Sequence, residues 1–300
     1  MVKDSNPPHR AGHVAIVGRP NVGKSTLLNR LVGHKISITS RKPQTTRTRV
    51  IGIVSTTNAQ LVLVDTPGFQ TRHRNALNRM MTRTVAGSVE GVDAVLWVVE
   101  ALRYDERDQA IRKLLPHGTP VVFAINKIDR IRRKDDLLPF IERLGNECGA
   151  AAIVPVSAAT GTQTNELLAA LAPLLPESQP LFDADEITRN SERFLAAELI
   201  REKIFRLTGD ELPYAVTVQI ESFKVEGGLR RIHAVIIVNK DSHKAMLIGK
   251  GGDRLKSIAT QARLDMEALF DGRVYLEVWV KVRHGWADDE RFLADMQGDA

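Results

Sequence analysis

Between an apolar run, His13 to Val17, and a helical pattern, Thr26 to Leu31, stand the eight residues Gly18-Arg19-Pro20-Asn21-Val22-Gly23-Lys24-Ser25. This is G-x-x-x-x-G-K-S in the strand–turn–helix setting that its chemistry requires. Glycines let consecutive backbone N–H groups wrap a phosphate without Cβ clashes. The helix N-terminus adds partial positive charge, Lys24 reaches the outer phosphates, and the Ser25 hydroxyl, with Thr26 beside it, is placed for Mg²⁺. A chance glycine turn is the alternative. The motif points to a nucleotide phosphate but leaves the base open.

Base choice comes from Asn126-Lys127-Ile128-Asp129, which follows the apolar stretch Val121 to Ala124. As a loop at the carboxyl end of a buried strand, it puts Asp129 in the crevice where open α/β sheets bind ligands. A carboxylate there accepts from guanine N1–H and its exocyclic amine, and adenine offers neither arrangement. Charged hydrogen bonds are worth about 1.5–3 kcal/mol each, so the pair discriminates strongly. Lys127 is expected along the base and Asn126 as a brace of the loop; the bland reading of N-K-x-D is a helix cap.

Two further motifs fall in register. Leu61 to Val64 leads into Asp65-Thr66-Pro67-Gly68, where Asp65 would hold Mg²⁺ through water and the Gly68 amide would sense the γ-phosphate. Val154-Pro155-Val156 leads into Ser157-Ala158-Ala159, whose amides can contact guanine O6. Between the first two motifs lies the basic segment 41–49. Thr46, with Thr45 as the alternative, is expected to complete the Mg²⁺ shell, although the segment also reads as a solvated loop.

The 300 residues suffice for one mid-sized and one small domain, and 43% hydrophobic residues support packed cores. The single cysteine, Cys148, excludes a disulfide framework and reads as a small buried filler in a reducing compartment. Residues 1–12 are polar with two prolines, so no signal peptide is expected. No apolar run approaches the ~18 residues needed to cross a bilayer. Charge is uneven: residues 1–180 carry 24 Lys+Arg against 15 Asp+Glu, while 287–300 carry one against five. A basic chain with an acidic end favours an anionic macromolecular partner, with solubility as the alternative explanation.

Strand patterns near 13–18, 49–55, 61–65, 93–99, 120–125 and 153–157 alternate with helical ones, which means a mostly parallel sheet with helices on both faces. Pro173, Pro176, Pro180 and an acidic stretch then read as a linker. Beyond it the texture changes to helix, two strands, two helices joined by Gly249-Lys250-Gly251-Gly252, and a final strand, Val274 to Val280. That order, with G-x-x-G between consecutive helices, is the KH pattern in its second topology. A Cβ-free turn between helix ends lets a nucleic-acid backbone approach, next to Ile248, while Lys244, Lys250, Arg254 and Lys256 supply charge. A simple helix connector is the alternative.

With T-T-R at 45–47 and Trp279 to Val282 leading to Gly285-Trp286, these motifs resemble the Era family, bacterial GTPases of one α/β P-loop G domain and one smaller α+β KH domain. The resemblance covers about residues 12–293. It implies GTP hydrolysis coupled to small ribosomal subunit assembly, with single-stranded small-subunit ribosomal RNA on the KH domain. It also implies a cytoplasmic protein able to touch the inner membrane peripherally, and a monomer is expected. The expected division is a flexible N-terminus at 1–11, a G domain at 12–178, a linker at 179–191, a KH domain at 192–286 and an acidic tail at 287–300.

One departure from a self-sufficient GTPase stands out. Where Ras-like enzymes carry a water-orienting glutamine after D-x-x-G, this chain has Phe69, so slow intrinsic turnover of GTP to GDP is expected. Asn21 could hold K⁺ beside the bridging phosphate oxygens, or brace the turn. Three functions compete: a GTP-switched RNA-binding assembly factor, an RNA-binding module merely stabilised by nucleotide, and a membrane-signalling GTPase. Multiple-turnover hydrolysis separates the first two, and competition between RNA and anionic vesicles separates the first from the third.

Overall fold

The computed structural model describes residues 8–40, 42, 44–69, 75–209 and 212–298, with the side chains of 296–298 left aside. The chain divides into two compact units: 1–34, 49–71 and 82–189 form one, and 35–48, 72–81 and 190–300 the other. Parts of the expected N-terminus (1–7), basic segment (Arg41, Pro43) and tail (299, 300) lie outside the described residues.

The elements before residue 190 run β1 (Arg10–Val17), α1 (Lys24–Val32), β2 (Val50–Ser55), β3 (Ala59–Asp65), α2 (Ala76–Val89), β4 (Ala94–Glu100), α3 (Glu106–Arg112), β5 (Val121–Asn126), α4 (Leu137–Cys148), β6 (Ala152–Pro155) and α5 (Thr164–Leu171). The strands are ordered β2-β3-β1-β4-β5-β6, parallel except for the antiparallel pair β2/β3. Val-, Leu- and Ile-rich runs make β3, β4 and β5 nearly inaccessible on both faces, as a sheet between two helical layers requires. Trp97 stacks on Phe123 with centroids 4.8 Å apart in that core. Cys148 is half-buried beside it, its Sγ 3.3 Å from the Tyr104 hydroxyl, rather than fully enclosed.

The second unit continues with α6 (Glu192–Leu207), β7 (Val216–Glu226), β8 (Leu229–Val238), α7 (Asp241–Ile248), α8 (Asp253–Phe270), β9 (Val274–Val282) and α9 (Glu290–Gly298). Ser191 caps α6 by accepting from the Phe194 N–H at 3.1 Å. Strand β8 pairs antiparallel with β7 and parallel with β9, in the order β7-β8-β9. This is the α-β-β-α-α-β arrangement expected of the second KH topology.

Three expected boundaries shift. Arg10 and Ala11 open β1 instead of belonging to a flexible end, and Arg10 Nη1 donates to the Leu175 carbonyl at 2.6 Å. Most of the expected linker is fastened to the first unit. Gln60 is buried and its side-chain oxygen accepts from the Leu181 and Phe182 N–H groups at 2.7 and 2.9 Å. Ile53 N–H donates to the Ile187 carbonyl at 3.0 Å, extending the sheet past β2. The acidic tail is not a tail: Phe292 and Leu293 of α9 are buried against Trp286, Val235 and Ile237. This apolar pair docks the helix, while Glu290, Arg291 and Asp295 stay exposed.

Candidate functional site

In the first unit every nucleotide motif leaves the carboxyl end of a parallel strand. Gly18 follows β1 with φ +154°, and Gly23 caps α1 with φ +105°, aiming the first helical N–H groups into the turn. Lys24 is buried, and its Nζ donates to the Gly18 and Arg19 carbonyls, each at 3.0 Å. Burial lowers its pKa to about 8 although the Asp65 carboxylate pulls the other way. Asp65, at the end of β3, is fully buried, and its Oδ2 accepts from the Ser25 hydroxyl at 2.7 Å. A carboxylate and a hydroxyl this close are hard oxygen donors of the kind that suits Mg²⁺.

The D-T-P-G loop lies against the phosphate turn. A Cβ on Gly68 would fall 2.9 Å from three atoms of Pro20. Thr66 is buried and donates to the Ile16 carbonyl at 2.8 Å, so its hydroxyl ties the loop to β1 rather than facing a ligand. Pro67 is buried and Phe69 packs against the cluster around Val17, Trp97 and Val99. A ring held in that core cannot orient water.

The base-side loops brace the turn. Asn126 Nδ2 donates to the Val22 carbonyl at 2.8 Å while its Oδ1 accepts from the Ala158 N–H at 2.9 Å. Lys127, with φ +70°, donates to the Asn21 carbonyl at 2.6 Å and to Glu100 at 2.9 Å. Buried Ser157 donates to Asp129 Oδ1 at 2.6 Å, which leaves the second carboxylate oxygen of this exposed residue for a ligand. Ala159 is exposed at the end of the same loop.

Two side chains depart from expectation or were not foreseen. Arg19 turns away from the phosphate turn to bridge Asp108 at 2.8 Å and Asp105 at 3.2 Å, at the capping box that starts α3, so only its backbone remains for a nucleotide. Arg30 of α1 donates to the Ala158 and Ala159 carbonyls at 3.2 and 2.6 Å, fixing the Ser157–Ala159 loop. Thr46 is buried next to Arg47 in the second unit.

In the second unit α7 ends at Gly249, with φ +72°, and Gly251 and Gly252 follow at φ +59° and +86°. A Cβ on Gly249 would press on Arg254 Cβ at 2.9 Å, whereas Gly251 and Gly252 face open space. Lys250, Arg254 and Lys256 are exposed, while Lys244 and Ile248 are half-buried. Arg254 Nη1 also donates to the Met246 carbonyl at 2.5 Å, so this cation closes the C-terminus of α7 as well as adding charge.

A family model described as a 50S ribosome-binding GTPase matches residues 13–127, and a KH domain model matches residues 211–287. GTPase Era of Nitrosomonas eutropha is 55% identical over 288 residues, which cover 96% of this chain and 97% of that protein. GTPase Era of Neisseria meningitidis is 55% identical over 290 residues, covering 96% and 94%. Among solved structures, an Aquifex aeolicus Era variant bound to GDP·AlF4⁻ matches with a TM-score of 0.92 at 39% identity, over 97% of this chain and 99% of that one. Era in complex with MgGDPNP and nucleotides 1506–1542 of 16S ribosomal RNA gives the same four values.

Proposed function

The chain belongs to the Era family of GTPases, and on that premise we propose that it hydrolyses GTP on the first unit and holds single-stranded small-subunit ribosomal RNA on the second. It acts as an assembly factor of the small ribosomal subunit. The observation that carries the base assignment is the brace from Asn126 to both Val22 and Ala158, which fixes the Asp129 loop relative to the phosphate turn.

In this reading the α1 amides and Lys24 cradle the β- and γ-phosphates, and the Gly68 amide meets the γ-phosphate. Ser25 and Asp65 hold Mg²⁺, with Thr46 joining when GTP is present. Mg²⁺ supplies neutralisation of the charge that develops on the phosphate oxygens. Asp129 accepts from guanine N1–H and its amine, and the amides of Ala158 and Ala159 meet O6. Phe69 offers no hydrogen bond to water, so turnover is slow unless K⁺ at Asn21 or a partner adds positive charge. RNA lies over Gly251 and Gly252, flanked by Lys244, Lys250 and Lys256. The protein works as a cytoplasmic monomer, with peripheral contact to anionic lipid supported by the basic first 180 residues; among the described residues no helix is long and apolar enough to cross a membrane.

The test is multiple-turnover hydrolysis, combined with the affinity for a 16S 3′-terminal fragment in the GTP-analogue and GDP states. Slow but catalytic turnover, and an RNA affinity that differs between the states, are expected. RNA binding indifferent to nucleotide together with single-turnover behaviour would leave only a nucleotide-stabilised RNA-binding module.

A further inference from the structure

Three arginines and one glutamate line a cavity of about 60 Å³ within the second unit: Arg47, Arg193, Arg201 and Glu198, with Thr217 and Gln219 beside them. One water needs roughly 10–15 Å³ on this measure, so the space exceeds a single water several-fold. Arg47 is 4% exposed. Its Nη1 and Nη2 donate to the Val216 and Pro213 carbonyls at 2.8 and 2.9 Å, and its guanidinium lies 5.6 Å from the centroid of the Trp286 ring. Its Nε is buried with no acceptor among the described residues.

Arg201 is 2% exposed and spends Nε and Nη2 on the two oxygens of Glu198, at 2.7 and 2.5 Å. Its Nη1 is likewise buried without an acceptor among the described residues. Arg193 donates to the Ile220 carbonyl. Glu198 is the single carboxylate among the described lining residues, and Arg201 occupies both its oxygens. Among the described lining residues, Glu198 is thus taken up by Arg201, and Arg47 spends its printed bonds on two neutral carbonyls.

A buried N–H without a partner costs about 1–3 kcal/mol, and a buried charge without a counter-charge costs more. One anion with several acceptor oxygens would offset both. An oxyanion suits this arrangement better than a halide, because its separate oxygens can accept from N–H groups on two different guanidiniums. We propose that this cavity binds a small oxyanion of the phosphate type, held by Arg47 Nε and Arg201 Nη1. Inorganic phosphate, the ion that GTP hydrolysis releases, offers acceptor oxygens to both buried N–H groups. Since Arg47 belongs to segment 35–48, and Leu77 and Met80 of α2 complete the lining, the bound anion also fastens these segments within the second unit.

The experiment uses protein loaded with Mg·GDP, so that the phosphate turn is already filled. Inorganic phosphate is titrated at constant ionic strength, read by calorimetry and by hydrogen exchange of residues 44–48. Saturable binding is expected, with slowed exchange of those amides and competition by sulfate. Arg47→Met should abolish the saturable heat, and Arg47→Lys, which keeps the charge but loses Nε, should weaken it even if the methionine variant unfolds. Glu198→Gln removes the lone carboxylate and should tighten binding several-fold. A response that chloride reproduces at equal ionic strength, or that survives Arg47→Lys unchanged, would show a cavity filled by water, and weaker binding in Glu198→Gln would equally overturn the proposal.

Discussion

The two glycine-rich turns, 18–25 in the first unit and 249–252 in the second, use the same residue for different reasons. In the phosphate turn the missing Cβ makes room for the protein itself. A Cβ on Gly18 would strike the Val98 carbonyl oxygen, and one on Gly23 would strike the Asn126 amide. In the second turn only Gly249 is packed in this way, against Arg254; Gly251 and Gly252 face solvent and need glycine only for a left-handed backbone. A turn closed on its own fold holds one geometry for a small ligand. A turn open to solvent leaves its surface to a large one.

The largest effect should come from breaking that contrast at both ends. Gly18→Ala drives a methyl group into backbone that cannot rotate away, so about 1–3 kcal/mol of stability should be lost together with GTP binding. Gly251→Asp meets no atom, and aspartate tolerates positive φ better than most residues. It should melt close to the parent, bind GTP normally, and lose most RNA affinity to the added carboxylate. Paired melting curves and titrations decide. If the two variants lose stability equally, the difference between the turns is not steric.

Next in size is base choice. Asp129→Asn reverses one donor–acceptor pairing with guanine, so GTP affinity should fall by about 1.5–3 kcal/mol or more and preference should move to xanthosine nucleotides. Because Ser157 donates to Asp129 Oδ1 and an asparagine Oδ1 can still accept, the loop should keep its shape. Unchanged GTP binding in an equilibrium titration would remove Asp129 from the base site.

What the sequence made legible follows the same division. The phosphate turn, N-K-x-D and G-K-G-G are local: a few residues with fixed backbone requirements, readable one after another. The partners that hold them are not local. Arg19 belongs to a nucleotide motif, yet its side chain bridges Asp105 and Asp108, nearly ninety residues on. Arg30 gives no signal beyond being a basic residue on a helix. Segments 35–48 and 72–81 sit between G-domain motifs in the chain but pack with the second unit. Lys35 shows why: its ammonium meets Glu202 and Asp265, each at 2.5 Å, a pairing that periodicity does not encode. Phe292 and Leu293 were hidden by the acidic residues around them.

A smaller, graded effect at the first turn depends on pH. Lys24 has a pKa near 8 because it is buried, and phosphate oxygens would raise it. Nucleotide binding therefore takes up a proton above that pH. Affinity should be flat below about pH 8 and fall by up to about tenfold per unit above it. Calorimetry in buffers of different ionisation enthalpy should show proton uptake near pH 9 and none at pH 7. A pH-independent GTP affinity across this window would mean that Lys24 is not neutralised before the phosphates arrive.

The smallest effect is the most specific test of the open turn. Lys250 and Lys256 are exposed cations beside Gly251. If each meets one RNA phosphate, Lys250→Ala and Lys256→Ala should each weaken binding modestly and reduce the slope of log affinity against log salt by about 0.7, the single-strand value per contact. Their losses should add, because neither side chain bonds to the protein among the described residues. Arg254→Ala should behave differently, since Arg254 also donates to the Met246 carbonyl at the end of α7. Removing it should lower the melting temperature of the second unit as well as the RNA affinity. If Arg254→Ala changes only the salt slope, the arginine acts as a plain phosphate contact; if Lys250→Ala also lowers the melting temperature, the second turn is braced from within like the first.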